Sequence, residues 1–205
     1  MDTSNRELTV SKGRFEGLSD GIFAVAMTLL VLEVRLPSGI GVSTPLPTQI
    51  HALLSIWPQY LVYAATFATI GIMWLNHHAL LDRAHRITHS VIMANFTLLG
   101  LICFLPFTTY VLEELDISSP AAVFYGLTNV AIGFGFGFLQ RAVLKAHGKR
   151  GEPFTAWNVV GVSAYPMATI VAFFLPLISI AIIALVSLFY ALPSNIEYSP
   201  RSLED

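Results

Sequence analysis

From Gly21 to Leu32 no residue carries a charge, and charged residues close in on both ends, Arg14 and Asp20 before the run, Glu33 and Arg35 after it. Counted from Arg14 to Leu36 the stretch has 23 residues. As a helix it reaches roughly 34 Å, enough to cross the hydrocarbon core of a bilayer. Asp20 lies some six residues inside the start, roughly 9 Å along the axis. An ionisable group at that depth is costly unless it is paired, which makes Asp20 a candidate functional residue. The competing reading is an interfacial Asp near a helix N-terminus, where the helix dipole favours it.

The rest of the chain has the same character. Apolar residues make up 55% of its 205 residues and charged ones 12%, where a soluble domain carries about 25% charged residues. This predicts an all-α integral membrane protein with almost no soluble part. The sequence has no basic patch with interleaved aromatics, so nucleic acid is excluded as a partner. Cys103 is the single cysteine, so no intrachain disulfide can form. The opening stretch MDTSNRELTVSKGRFEG lacks a short apolar core before a small-residue cleavage site, and no cleaved signal peptide is expected.

Six spans are expected. The first runs over about 18–36 and stops at Pro37; PSGIGVSTPLP follows as a Pro/Gly/Ser loop. The second covers about 50–75, with Pro58 kinking it or marking its start. The polar stretch NHHALLDRAHRITHS leads to a third span over about 91–112, with Pro106 near its end. After EELDISSP come a fourth span over about 121–143 and the basic loop LKAHGKRGEPF. The fifth covers about 156–174, and Pro176 marks a tight turn into the sixth, about 177–192. Residues 1–193 thus form one six-helix domain, and 194–205 a polar, disordered tail on the cytoplasmic side. The two halves share no motif that would mark an inverted repeat.

An even number of spans puts both termini on one side. That side would hold Arg6, Lys12, Arg14, Arg83, Arg86, Arg141, Lys145, Lys149, Arg150 and Arg201; of the eleven basic residues only Arg35 falls opposite. The positive-inside bias places both termini in the cytoplasm. Glu33, Glu113, Glu114 and Asp116 then face outside, where net acidity concentrates cations near any mouth.

Four constellations bear on function. GFGFGF, Gly133 to Phe138, superficially resembles the filter of a potassium channel, but it lies mid-span and lacks the preceding Thr-Val and pore helix. Gly133 and Gly137 form GxxxG and read as a helix-packing face. His78, Asp82, His85 and His89 fall on one face if the helix is continuous, a spacing that can bind metal. Six histidines are too few for a membrane di-iron oxidase, and the stretch also reads as ordinary interfacial polarity, so no metal is assigned. WLNH, Trp74 to His77, closes the second span on the side of Asp20, so Asn76 and His77 lie at the depth needed to bond Asp20 or Ser19; an aromatic-belt Trp with two interfacial polar residues is the plainer reading. Last, Val25, Leu29 and Leu32 make one apolar stripe, bordered by Thr28. By spacing alone it is a packing stripe. Four copies about an axis would instead make stacked apolar rings, a pore that can gate by dewetting.

Arg14-x-x-x-Leu18-Ser19-Asp20 resembles the R-x-x-x-F-S-D signature of the endolysosomal potassium channel family, transmembrane protein 175, and WLNH fits the same family. The likeness spans the first three helices and the whole topology. It implies a homotetramer of six-helix subunits whose first helix lines a central pore without a TVGYG filter. It puts the pore constriction on Val25, Leu29 and Leu32 and a selectivity role on Thr28. It joins Arg14, Ser19, Asp20, Trp74 and His77 in a polar network that holds the first helix. Leu18 replaces the signature Phe, and Val25 stands where relatives often have Ile, so the tightest ring can shift to Leu29.

The resulting expectation is a leak-type, potassium-permeable channel in the plasma membrane of a prokaryote, with no cofactor beyond the permeant ion. Two alternatives come from other classes: a proton-coupled transporter relaying through Asp20 and His77, and a membrane metalloenzyme built on the histidine stretch. The predicted topology has a direct check. The thiol introduced by Ser118→Cys, between the third and fourth spans, should react with an impermeant reagent applied outside intact cells. Labelling only after the membrane is opened would reverse the orientation.

Overall fold

The computed structural model describes residues 11–84, 86–146 and 156–190, by backbone alone over 156–162. Helix α1 (Lys12–Leu29) passes directly into a 3-10 turn, Leu30–Glu33. Its buried residues, Phe15, Ser19, Phe23 and Ala26, continue to Leu30 in the turn. They recur every three or four positions, the repeat of a single helix face. The helical run therefore ends before Leu36, with Val34 already extended.

The second expected span is two helices, α2 (Leu46–Ser55) and α3 (Trp57–Asp82), bent by 42° at Ile56. Pro58 causes the break, since it has no N–H to give the carbonyl four residues back. It does not interrupt α3, because it sits in the first turn, where that N–H would be unpaired anyway. The third expected span divides in the same way into α4 (His89–Cys103) and α5 (Leu105–Glu114), with Pro106 in the first turn of α5.

One expectation fails at the start of α4. The face carrying His78, Asp82, His85 and His89 requires a helix running through all four residues. Instead α3 ends at Asp82, and Thr88 caps a new helix by accepting a hydrogen bond from the Val91 N–H at 3.4 Å. His78 and Asp82 remain one turn apart at 4.0 Å. His89 belongs to the other helix, and His85 lies outside the described residues. Among the described residues no group of three His, Cys, Asp or Glu is placed to hold a metal.

The remaining helices are α6 (Ser119–Ala146), α7 (Ala156–Ala172) and α8 (Pro176–Tyr190). Helix α6 is the spine of the subunit and packs against α4, α5, α7 and α8. Among the described residues, 12–33, 89–114 and 119–146 are long and apolar enough to cross a bilayer, and α2 with α3 makes a fourth such unit if the bent pair counts as one. The basic loop over 147–155 and the tail over 194–205 lie outside the described residues.

Two glycines set the close approaches of α6, and neither belongs to the GxxxG pair. A Cβ on Gly126 would fall 2.5 Å from Thr169 Oγ1 and 3.2 Å from its Cα, so α7 can lie against α6 only because that Cβ is missing. Gly135 meets Leu98 and Leu101 of α4 in the same way, at 3.2 and 3.3 Å. Gly133 faces Tyr165 at 4.0 Å, and nothing lies within 4 Å of Gly137. Gly126→Ala should therefore force α6 from α7 and destabilise the subunit by about 1–3 kcal/mol, the usual scale of overpacking. Gly137→Ala should leave thermal unfolding of the purified protein unchanged. An equal loss from both would put a neighbour from outside the single chain on the Gly137 face.

Candidate functional site

Helices α1 and α3 run antiparallel, and polar contacts mark their register from end to end. At one end Lys12 Nζ donates to the Asp82 carbonyl at 3.1 Å and lies 3.6 Å from Glu16. Two turns along, the Trp74 indole N–H donates to Asp20 Oδ1 at 2.8 Å. At the other end the Arg35 backbone N–H donates to Gln59 Oε1 at 2.9 Å.

Between these lies a network sealed from solvent. Ser19 and Asn95 are 0% exposed and His77 is 1% exposed. Asn95 Nδ2 donates to Ser19 Oγ at 3.0 Å, and Ser19 Oγ donates to the Phe15 carbonyl at 3.1 Å. That leaves Asn95 Oδ1 as acceptor toward His77 Nε2 at 2.7 Å. The His77 proton then sits on Nε2, since an amide oxygen can only accept. The His77 ring also packs against Phe23, with centroids 5.2 Å apart. One residue from each of α1, α3 and α4 is thus joined where an unpaired polar group would cost several kcal/mol.

Asn95 does not appear in the expected set, which puts Asn76 in this role. Asn76 is half-buried and no described hydrogen bond reaches its side chain. Arg14 is exposed, and no described contact involves its guanidinium. Asp20 is exposed as well; its described side-chain hydrogen bond is the one from Trp74.

The opposite face of α1 has no partner among the described residues. Val25 is 56% exposed, Leu29 42% and Leu32 66%, whereas Leu30 is 1% exposed. Leu32 belongs to the 3-10 turn, where residues three apart eclipse, so it lines up with Leu29 in one column. Thr28 is exposed beside them and its Oγ1 donates to the Val25 carbonyl at 2.9 Å. With that proton engaged, the hydroxyl offers only acceptor lone pairs to whatever faces it.

Apolar helices of membrane-spanning length, tied together by buried hydrogen bonds and leaving one helix face open, define a multi-pass α-helical membrane protein. Similarity to known proteins sharpens this. The family model described as the endosomal/lysosomal potassium channel TMEM175 matches residues 14–106. A potassium channel of Chamaesiphon minutus is 34% identical over 194 residues, which is 89% of this chain and 95% of the relative. A potassium channel of Streptomyces collinus is 36% identical over 129 residues, 60% of each chain. The endosomal/lysosomal proton channel TMEM175 of Danio rerio is 28% identical over 181 residues, and the match spans 35% of that longer protein. The crystal structure of a lysosomal potassium-selective channel TMEM175 homolog from Chamaesiphon minutus superposes with a TM-score of 0.77 at 34% identity, over 90% of this chain and 98% of that one. The chain belongs to the TMEM175 family, a family of ion channels and not of enzymes.

The network predicts an order of sensitivity. Asn95→Leu strips partners from both Ser19 and His77, each buried, and should destabilise the protein by about 1–3 kcal/mol for each group left unsatisfied. Asp20→Ala removes one exposed acceptor and should cost less. Thermal melts of the two purified variants decide this; a larger loss from Asp20→Ala would move the lock to the exposed pair.

Proposed function

We propose that this protein is a leak-type, potassium-permeable cation channel. It acts as a homotetramer of six-span subunits with both termini cytoplasmic, in the plasma membrane of a prokaryote. Helix α1 of each subunit lines a central pore. Val25, Leu29 and Leu32 form apolar rings, and Thr28 supplies the neighbouring oxygen. Ser19, Asp20, Trp74 and His77, with Asn95, hold the helix that carries those rings.

The observation that carries this reading is the division of α1 into two faces. One is locked to α3 and α4 by Ser19, Phe23 and Leu30, and the other presents Val25, Leu29 and Leu32 unpartnered. The similar proteins named as potassium channels support the choice of ion. A relay through Asp20 and His77 has less support. Asp20 accepts from Trp74 and His77 bonds to Asn95, and an indole N–H only donates, so it cannot pass a proton on.

An apolar ring cannot replace the hydration shell of a cation as a ring of carbonyls does. Selectivity then comes from width, from Thr28 and from the acidic outer mouth, and is moderate. Leu29→Ala or Leu29→Asn should raise conductance and lower potassium-over-sodium discrimination. Leu30→Ala, on the buried face, should cost packing, about 2–5 kcal/mol by the usual range for such truncations, while the channels that survive conduct as before. Potassium, sodium and proton flux into liposomes of each variant tests this. Equal effects at the two positions, or none at Leu29, would remove this face of α1 from the pore.

A further inference from the structure

Leu32 does not sit on a regular helix. Its 3-10 turn, Leu30–Glu33, gives way at once to extended backbone at Val34, and the Val34 N–H closes the turn onto Val31 O at 3.3 Å. Such a short turn has little cooperativity of its own, so its packing must fix its position. Leu30, 1% exposed, anchors one side of it, and the turn lies against α3 and α5. Just past the turn, further contacts converge on Arg35. Its backbone N–H donates to Gln59 Oε1 of α3 at 2.9 Å. Its guanidinium lies 3.3 Å from Glu33 Oε2, within the turn itself. The same guanidinium stands over the Tyr110 ring of α5, 5.0 Å from the centroid. The ion pair alone, with the Arg35 side chain 59% exposed, would contribute little. The contact with the ring is different in kind, because it spans two elements, and the flat face of a guanidinium suits it better than an ammonium.

We propose that Arg35 is a positioning residue for the outermost apolar ring: clamped between Glu33, Tyr110 and Gln59, it fixes the 3-10 turn that carries Leu32. The inference rests on the pore reading for its consequence in conduction, but the clamp itself is a separate fact of the fold. It also explains why a base stands on the side of the membrane from which the other basic residues are absent. In the clamp its guanidinium has a carboxylate and a ring as partners.

The test uses the full-length protein in liposomes, with Cys103→Ser and Leu32→Cys as background. An impermeant thiol reagent is applied from outside and the modification rate is read by mass shift, with no current required. Tyr110→Leu should raise the rate roughly two- to fivefold, the scale of an exposed cation–π contact. Tyr110→Phe keeps the ring and should leave the rate unchanged. Arg35→Lys keeps the charge but loses the flat guanidinium face, and should move the rate in the direction of Tyr110→Leu. Gln59→Leu removes the other anchor without touching α5 and should also raise it. Unchanged rates in Tyr110→Leu, Arg35→Lys and Gln59→Leu overturn the proposal, as does a rise in Tyr110→Phe equal to that in Tyr110→Leu. Potassium flux before and after modification separates the two readings. Faster modification that leaves flux unblocked keeps the clamp and removes Leu32 from the pore. Blocked flux with unchanged rates keeps the pore and removes the clamp.

Discussion

The rotational setting of α1 depends on the hydrogen bonds of Asn95. A primary amide both donates and accepts, at sites fixed on a rigid plane. Asn95 uses both, donating to Ser19 and accepting from His77. This joins three helices at a single buried point, and it dictates rotation as well as proximity. Turning α1 about its axis would withdraw Ser19 Oγ and leave Asn95 Nδ2 without its partner. In water such a fault is repaired by solvent; in hydrocarbon it is not. The cost of mispairing, more than the strength of the bonds, makes the network a device for fixing one rotational setting.

That setting decides which residues α1 leaves outside. With Ser19 inward, the helical repeat carries Phe15, Phe23, Ala26 and Leu30 inward too, and Val25, Thr28 and Leu29 outward. Among the described residues nothing covers the outward face. On the proposed reading other copies of the chain do, and the buried network acts on ions it never touches by holding that face toward the axis.

The sequence shows how such an arrangement can be read and where reading stops. Long uncharged runs with charged ends make the helical membrane class legible, and Arg14-x-x-x-Leu18-Ser19-Asp20 with WLNH makes the family legible. The stripe at Val25, Leu29 and Leu32 is visible as a period, but its direction is not, because spacing cannot tell a face that packs within the subunit from one that does not. Asn95 is missed for a related reason. Its signal, one amide inside the apolar run VIMANFTLLG, lies on a helix remote in sequence from the residues it bonds. An isolated Asn in a span is itself a strong mark, since it must find a partner. Shared depth with Asp20 singles out both Asn76 and His77, and of the two His77 is the one turned inward, to Asn95. The glycines show the same limit. GxxxG is a pattern, whereas Gly126 and Gly135 matter through what lies opposite them, Thr169 and Leu98. Prolines are read for position, but whether Pro58 and Pro106 kink a helix or divide it depends on the bonds their neighbours find.

The two ends of α1 are held by different physics, and on the proposed reading this bears on how the pore responds. The Ser19 end is fixed by buried bonds among neutral groups, insensitive to salt and all-or-none in character. The Leu32 end is a short 3-10 turn next to an exposed guanidinium that holds an ion pair and a ring, contacts that solvent and salt weaken. Motion of the helix, where it occurs, is therefore cheapest at Leu32 and dearest near Ser19. Leu29 stands at the hinge between them, the last residue of the regular helix and the first beneath the turn. On the proposed reading, a ring at that position would share the rigidity of the locked segment while its neighbour could yield, which puts the tightest apolar ring at Leu29 and the adjustable one at Leu32.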